Sequence, residues 1–314
     1  MDFKFSKALV TGGAGFIGSH LVEELLNMGI EVTSIDNYIG GKHENLANLP
    51  NQQLLNEVNC DVTDYEDLRK YFTGIDVVFH QAASKKTICL NDPRMDLRIN
   101  AEGTFNILEL SRDFGVKKVV HASTGSVYGE AQYFPQDENH PLVPTSYYGV
   151  SKLAGEKYVK AFEHLYNLDT TVLRYFHVYG PRQESADNKG GVVAIFCRRV
   201  MAGLPIIIHG DGTQQRSFTY VKDVVRANLL AAMSPKSKGE VYNCASALKI
   251  TISQLAGLIG EVYEKEELDI EYQDWLPGDI KVFDIDHEKI ESLGMVNWTD
   301  FVHGLKKTAD WYNN

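Results

Sequence analysis

Val10-Thr-Gly-Gly-Ala-Gly-Phe-Ile-Gly18 closes an apolar run that starts at Lys7 and opens a stretch with helical spacing. It satisfies two spacings at once, Gly12-x-x-Gly15-x-x-Gly18 and Gly13-x-Gly15-x-x-Gly18, and both belong to loops that bind dinucleotides. The glycines allow a tight turn and let backbone N–H groups and a helix N-terminus approach a pyrophosphate where a Cβ would collide. A glycine-rich strand–helix turn can also be purely structural, so its surroundings decide between the two.

Those surroundings favour the dinucleotide. Asp36 ends the next β-rich run, at the distance expected for a carboxylate that accepts from both ribose hydroxyls. A 2′-phosphate would be repelled there and no Arg follows at once, which selects NAD. Asp61-Val62, after the third run, is expected to cradle the adenine. Lys7–Gly12, Glu31–Asp36, Leu54–Asn59, Val77–Ala82, Lys117–Ser123 and Thr170–Phe176 read as strands alternating with helix-length stretches. That alternation predicts a doubly wound parallel sheet, and apolar runs such as Val77-Val78-Phe79 predict strands covered on both faces.

Beyond Phe176 the rhythm changes to loops marked by Gly and Pro, as in Tyr179-Gly-Pro-Arg182 and His209-Gly-Asp-Gly212. The expected fold is α/β: a Rossmann sheet over residues 1–173 and a smaller C-terminal α/β domain over 174–314, with segments around 215–245 returning to the first. A length of 314 residues accommodates such a pair, and the cleft between them is the default ligand site.

Composition narrows the partners. A formal charge of −11 opposes nucleic acid, and no apolar run is long enough to cross a bilayer. The opening residues enter the first strand without an apolar leader, so the expected location is the cytoplasm. Cys60, Cys89, Cys197 and Cys244 lack metal-ligand spacing, and no metal is expected.

Tyr148-Gly-Val-Ser-Lys152 starts a helical stretch, and its i,i+4 spacing puts phenol and ammonium on one face. A nearby Lys⁺ favours the phenolate and lowers a tyrosine pKa from about 10 toward neutrality, so that the phenol can act as a general base. With 16 tyrosines in the chain, such a pair is common by chance; its order after the fifth strand gives it weight. That strand runs into Ala122-Ser-Thr-Gly-Ser-Val-Tyr-Gly129, which carries hydroxyls to the carboxyl edge of the sheet, where ligands bind. Thr124 becomes a partner for the reacting oxygen; the alternative is that these hydroxyls only cap a turn.

With these residues in hand, the chain resembles the extended short-chain dehydrogenase/reductase family, in its UDP-glucose 4-epimerase-like branch. The resemblance rests on Thr11–Gly18, Phe79-His-Gln-Ala-Ala83, Asn100 before Gly103-Thr104, Ser123-Thr124 before Val127-Tyr-Gly129, Tyr148-x-x-x-Lys152, Leu173-Arg-Tyr-Phe176, and Gly210-Asp-Gly212 with Arg216. It implies a nucleotide-sugar C4 epimerase that retains NAD and passes through a 4-keto sugar. Tyr148 is then the base, Thr124 a hydrogen-bond partner of the same oxygen, and Lys152 the group that holds the ribose and tunes Tyr148. The cofactor residues implied are Gly12, Gly15, Phe16, Ile17, Gly18, Asp36, Asn37, Asp61, Val62, Gln81, Ala82, Ala83, Lys85, Asn100, Tyr148 and Lys152. Substrate contacts fall to Thr124, His177, Val192, Ile208, His209, Arg216, Asp279 and Phe283, with a UDP-sugar favoured. A homodimer is implied through helices near Asp96–Phe114 and Ser146–His164.

Related branches place a carboxylate just after the position of Thr124, whereas Gly125-Ser126 follow here, which argues for epimerisation over dehydration or decarboxylation. Three departures bear on the substrate. His177 replaces a usual Asn, and reads equally as a ligand donor or a structural His. Leu276 replaces a usual Arg. Phe283 is an aromatic gate that favours a plain hexose or uronate over an N-acetylhexosamine. The alternative activities are a keto-sugar-nucleotide reductase, which would exchange its cofactor, or another epimerase or dehydratase of the family.

Overall fold

A computed structural model describes residues 4–84, 90–184, 190–275 and 281–313. Lys85, Leu276 and Asp279, singled out above, lie outside these described residues. The strands β1 (Lys7–Thr11), β2 (Glu31–Asp36), β3 (Leu55–Asn59), β4 (Val77–His80), β5 (Lys118–Thr124) and β6 (Thr170–Tyr175) are joined by a seventh in one sheet. The intervening short strands are β7 (Val178–Tyr179), β8 (Ile206–His209), β9 (Gln215–Arg216) and β10 (Thr219–Tyr220), so the seventh member is β11 (Glu240–Cys244). The order is β11-β6-β5-β4-β1-β2-β3, with every pairing parallel.

The chain leaves β1 toward β2 on one side and returns to β4 on the other, which opens a crevice at the carboxyl ends of β1 and β4. Strand ends differ from the sequence expectation by a residue or two. Gly12 turns to φ +65°, ending β1 at Thr11, and β4 stops at His80, after which the Gln81 N–H bonds the Thr11 carbonyl.

Side-chain alternation assigns the two faces of the sheet. Ala8, Val10, Val77 and Phe79 enter one core together with α1 (Phe16–Asn27), while Leu9, Val78 and Val119 enter the other with α2 (Gly103–Asp113) and α3 (Tyr147–Tyr166). Each fully buried aliphatic contributes about 1.5–3 kcal/mol, so both faces hold helices firmly. A third core lies in the later part of the chain, where Phe196 of α4 (Val192–Met201) packs with Ile206, Leu255 and Leu305. Helix α5 (Val221–Met233) packs on the first sheet face, and α6 (Ile252–Val262) and α7 (Phe301–Asn313) belong to the third core. No helix among the described residues is long and apolar enough to cross a membrane.

Helix α3 has clear ends. Ser146 caps it by accepting from the Gly149 N–H at 3.1 Å, and Asn167 ends it in the left-handed region at φ 55°. Its buried face includes not only Val159 and Phe162 but also Lys152 and Glu156. Glu156 accepts two bonds from Arg174 of β6, at 2.9 and 2.7 Å, and one from Ser123 of β5. Arg174 also donates to the Tyr128 hydroxyl at 2.8 Å, which donates to Asn243 of β11 at 2.6 Å. One ion pair thereby ties α3 to three strands.

Removing one partner of a buried pair leaves an uncompensated charge. Arg174→Met is expected to destabilise the fold by about 3–5 kcal/mol in urea unfolding, and the double change Glu156→Met/Arg174→Met by less. A double variant no more stable than the single one would contradict this account.

Candidate active site

The glycine loop is built by close approach. A Cβ on Gly12 would lie 2.8 Å from the Ala82 nitrogen, and one on Gly18 only 2.0 Å from the Gly12 carbonyl oxygen. The first turn of α1 has no side-chain cap on its N–H groups, leaving an N-terminus suited to an anion. Asp36 closes the side of this cradle: its carboxylate accepts from the Ala14 N–H at 3.1 Å and the Tyr38 N–H at 2.8 Å. Burial raises its pKa, while those two N–H bonds oppose the shift. Gly41 passes so near that a Cβ there would sit 2.6 Å from the carboxylate.

A cleft of about 1080 Å³ runs from this loop. It brings together Gly12, Gly15, Phe16, Ile17, Gly18, Asp36, Asn37, Val62, Gln81, Ala82 and Ala83. Asp61 does not line it; its oxygens accept from Asn37 and from the backbone and hydroxyl of Thr63, so it acts by orienting Asn37. Asn100 is wholly buried, with its amide directed to Ser84, Asp96 and Ser151 and its oxygen accepting from the Ser84 N–H. Residues that sequence reasoning missed also line the cleft, among them Lys42, Arg182, Gln183, Glu184, Trp311 and Tyr312. The loop Tyr179-Gly-Pro-Arg182 was visible as a turn, but its contact with α1 is a long-range one that no local spacing signals.

Thr124, Tyr148 and Lys152 are not part of the cleft lining, and α3, which carries Tyr148 and Lys152, is connected to Ser84 of that lining through Asn100 and Ser151. Thr124 ends β5 and its hydroxyl lies 3.3 Å from that of Ser126, whose N–H it accepts at 3.2 Å. Tyr148 and Lys152 fall one turn apart on α3. The Lys152 ammonium is completely buried and has no hydrogen-bond partner among the described residues. Such a group calls for a partner from outside the chain. Burial lowers its pKa to about 8, against the raising effect of Glu156 and Asp96.

Other titratable groups surround it. His121 and His80 lie ring to ring at 5.2 Å beneath α3, and burial first, then the Lys152 charge, pushes both pKa values down, to about 3 for His80. They are therefore neutral. His80 is hydrogen-bonded to Thr11 and Thr104 at 2.7 and 3.0 Å. Glu156 is already matched by Arg174, whereas the buried Asp96, bonded by Ser84 and Asn100, makes no ion pair among the described residues.

Of the residues expected to contact substrate, Arg216 and His177 meet at the Phe283 ring. The Arg216 guanidinium sits 5.1 Å above the Phe283 ring, and His177 meets that ring edge-on at 4.7 Å. His177 holds a left-handed φ of 37°, a conformation that a non-glycine residue keeps only where its surroundings enforce it. Val192 opens α4 and His209 ends β8, with its ring 3.2 Å from the Asp274 carbonyl. Ile208 is fully buried in the third core, so its side chain is not open to a ligand.

Comparison with known proteins adds to this geometry. Residues 8–245 match the NAD dependent epimerase/dehydratase family. The chain is 38% identical over 317 residues to the putative UDP-glucose 4-epimerase of Methanocaldococcus jannaschii, covering 98% of each. A UDP-N-acetylglucosamine 4-epimerase from Methanobrevibacter ruminantium, solved in complex with UDP-N-acetylmuramic acid, superposes with a TM-score of 0.92 at 35% identity over 99% of each chain. The UDP-glucose 4-epimerase of Thermus thermophilus, solved with NAD, gives 0.89 at 35% identity over 98% of this chain and 99% of that one.

Asp96→Asn removes one of the two anions that keep Lys152 charged. The Lys152 titration, followed by NMR of nitrogen-labelled lysine, is expected to move below its value of about 8. An unmoved titration would show that Asp96 exerts no field at the ammonium.

Proposed function

Because the chain belongs to the NAD-dependent epimerase/dehydratase family, we propose that it is an enzyme that holds NAD in its cleft and inverts C4 of a nucleotide-sugar, a UDP-hexose or UDP-uronate. The observation that carries this reading is the space after Thr124. Neither Gly125 nor Ser126 carries a carboxylate, and the Phe176 ring stands 2.3 Å from where a Cβ on Gly125 would lie. Elimination needs a second positioned acid or base; epimerisation needs only one.

NAD, when bound, supplies the reversible hydride acceptor that chemistry at C4 requires. The glycine loop and α1 would hold its pyrophosphate, Asp36 its adenosine ribose, and the bare Lys152 ammonium its second ribose. Lys152 also stabilises the phenolate of Tyr148. Tyr148 then takes the proton from the 4-hydroxyl as C4 becomes a carbonyl, with Thr124 bonded to the same oxygen. After the keto sugar has turned its other face to the site, Tyr148 returns the proton, and C4 is inverted with no net redox change. Arg216, held over Phe283, is suited to paired hydrogen bonds with the diphosphate, and the Phe283 ring limits room beside C2.

The proposal includes a homodimer. Leu97, Val150 and Tyr158 are 54%, 54% and 42% exposed, and Val150 and Tyr158 lie on α3. Phe105 of α2 packs edge-on to Tyr158 at 5.3 Å, continuing the apolar surface across both helices. Two copies meeting there would form a four-helix bundle.

Incubated without added cofactor with UDP-, GDP-, CDP- and dTDP-sugars, the purified protein is expected to yield a C4-inverted product by NMR. Tyr148→Phe should lower kcat by about 10²–10⁴ with little change in KM. Consumption of added NADH with a 4-keto sugar, and no inversion, would replace this reading with a reductase. For assembly, Val150→Glu is expected to halve the mass measured by light scattering; a wild-type monomer would end the dimer proposal.

A further inference from the structure

Part of the cleft wall comes from two places far apart in the chain, Arg182–Glu184 and the last turn of α7. The second lies outside the residues that match the family. Tyr312 packs its ring against the third core and donates its hydroxyl to the Gln183 carbonyl at 2.6 Å. Trp311 stands edge-on to Tyr312 at 4.9 Å and lines the same cleft.

The segment is tied across the cleft as well. Arg182 reaches Glu23 of α1 at 3.1 Å, and the Pro181 carbonyl is 2.9 Å from the His20 ring nitrogen, also on α1. Glu184 meets Lys42, on the loop beyond Asp36, at 3.8 Å. Arg182 itself holds φ 66°, so a strained backbone is kept in place by these partners. The strap therefore joins the helix that forms the anion cradle, the loop beside the ribose carboxylate, and the end of α7.

We propose that Tyr312 is a cofactor-positioning residue, which fixes the strap Pro181–Glu184 as the outer wall of the cleft and so keeps the dinucleotide bound from one turnover to the next. This rests on the reading that the cleft holds NAD. Retention matters because the hydride taken from C4 must return to the same sugar; a cofactor that left midway would abandon a keto sugar. The Tyr312 hydrogen bond acts where it is mostly shielded, whereas the Lys42–Glu184 pair is more open to solvent and contributes a smaller, salt-sensitive part.

The test compares NAD release from wild type, Tyr312→Phe and Glu184→Gln. Each protein is loaded with radiolabelled NAD and chased with excess unlabelled NAD. Loss of one net hydrogen bond predicts release about three- to tenfold faster from Tyr312→Phe, with the melting temperature of the cofactor-free protein lowered by no more than about 4 °C. Glu184→Gln should release faster than wild type at low salt and equally at high salt. Equal rates for wild type and Tyr312→Phe would overturn the strap proposal and leave the cleft reading intact. Failure of wild type to bind NAD at all would overturn the cleft reading itself. Should Tyr312→Phe not fold, the salt dependence of Glu184→Gln decides the matter, and no difference from wild type at low salt counts against the strap.

Discussion

Helix α3 must hold an ammonium against the sheet without letting it reach water, and the Glu156–Arg174 pair is what makes this arrangement stand. Apolar contacts alone do not set the rotation of a helix to within one side chain; a two-bond guanidinium–carboxylate contact does. Because Glu156 is one turn from Lys152, fixing the first fixes the second, and because Ser123 precedes Thr124, the same carboxylate steadies the end of β5. The reading of Tyr148, Lys152 and Thr124 as one reactive set depends on this shared anchor.

The cleft divides its work between sterics and charge. At the glycine loop, side chains are absent because backbone comes within 3 Å of where a Cβ would stand, and the space so released is lined by N–H groups. Behind the lining lie buried polar side chains whose hydrogen bonds are made within the protein, as at Asn100 and His80. Lys152 differs in being a charged group with no direct hydrogen-bond partner among the described residues, and anions at a distance partly offset its cost of burial.

Much of this was legible in the sequence because it is local. Six strands could be read from apolar runs, and the glycine loop and the Tyr148/Lys152 spacing each lie within nine residues or fewer. β11, at the edge of the sheet, was harder, since Glu240-Val-Tyr-Asn-Cys244 is short and carries polar residues at its first and fourth positions. The outer wall was not legible at all: Tyr312 and Gln183 are 129 positions apart, and neither carries a spacing that points to the other. Asp61 and Asn100 were read as cofactor contacts from their positions, while the partners that occupy their side chains could be seen only in three dimensions.

The Phe176 ring beneath Gly125 bears on what can stand at position 125. A Cβ there would collide with that ring, so a side chain requires Phe176 to shift or to shrink. Phe176 is itself 2% exposed and packs with Tyr128 and Val127, so shrinking it alone opens a void in the core. A side chain added at position 125 and a smaller residue at 176 are thus each unfavourable when made alone. The residue that follows Thr124 is thereby coupled, through one aromatic ring, to the packing of the core behind it.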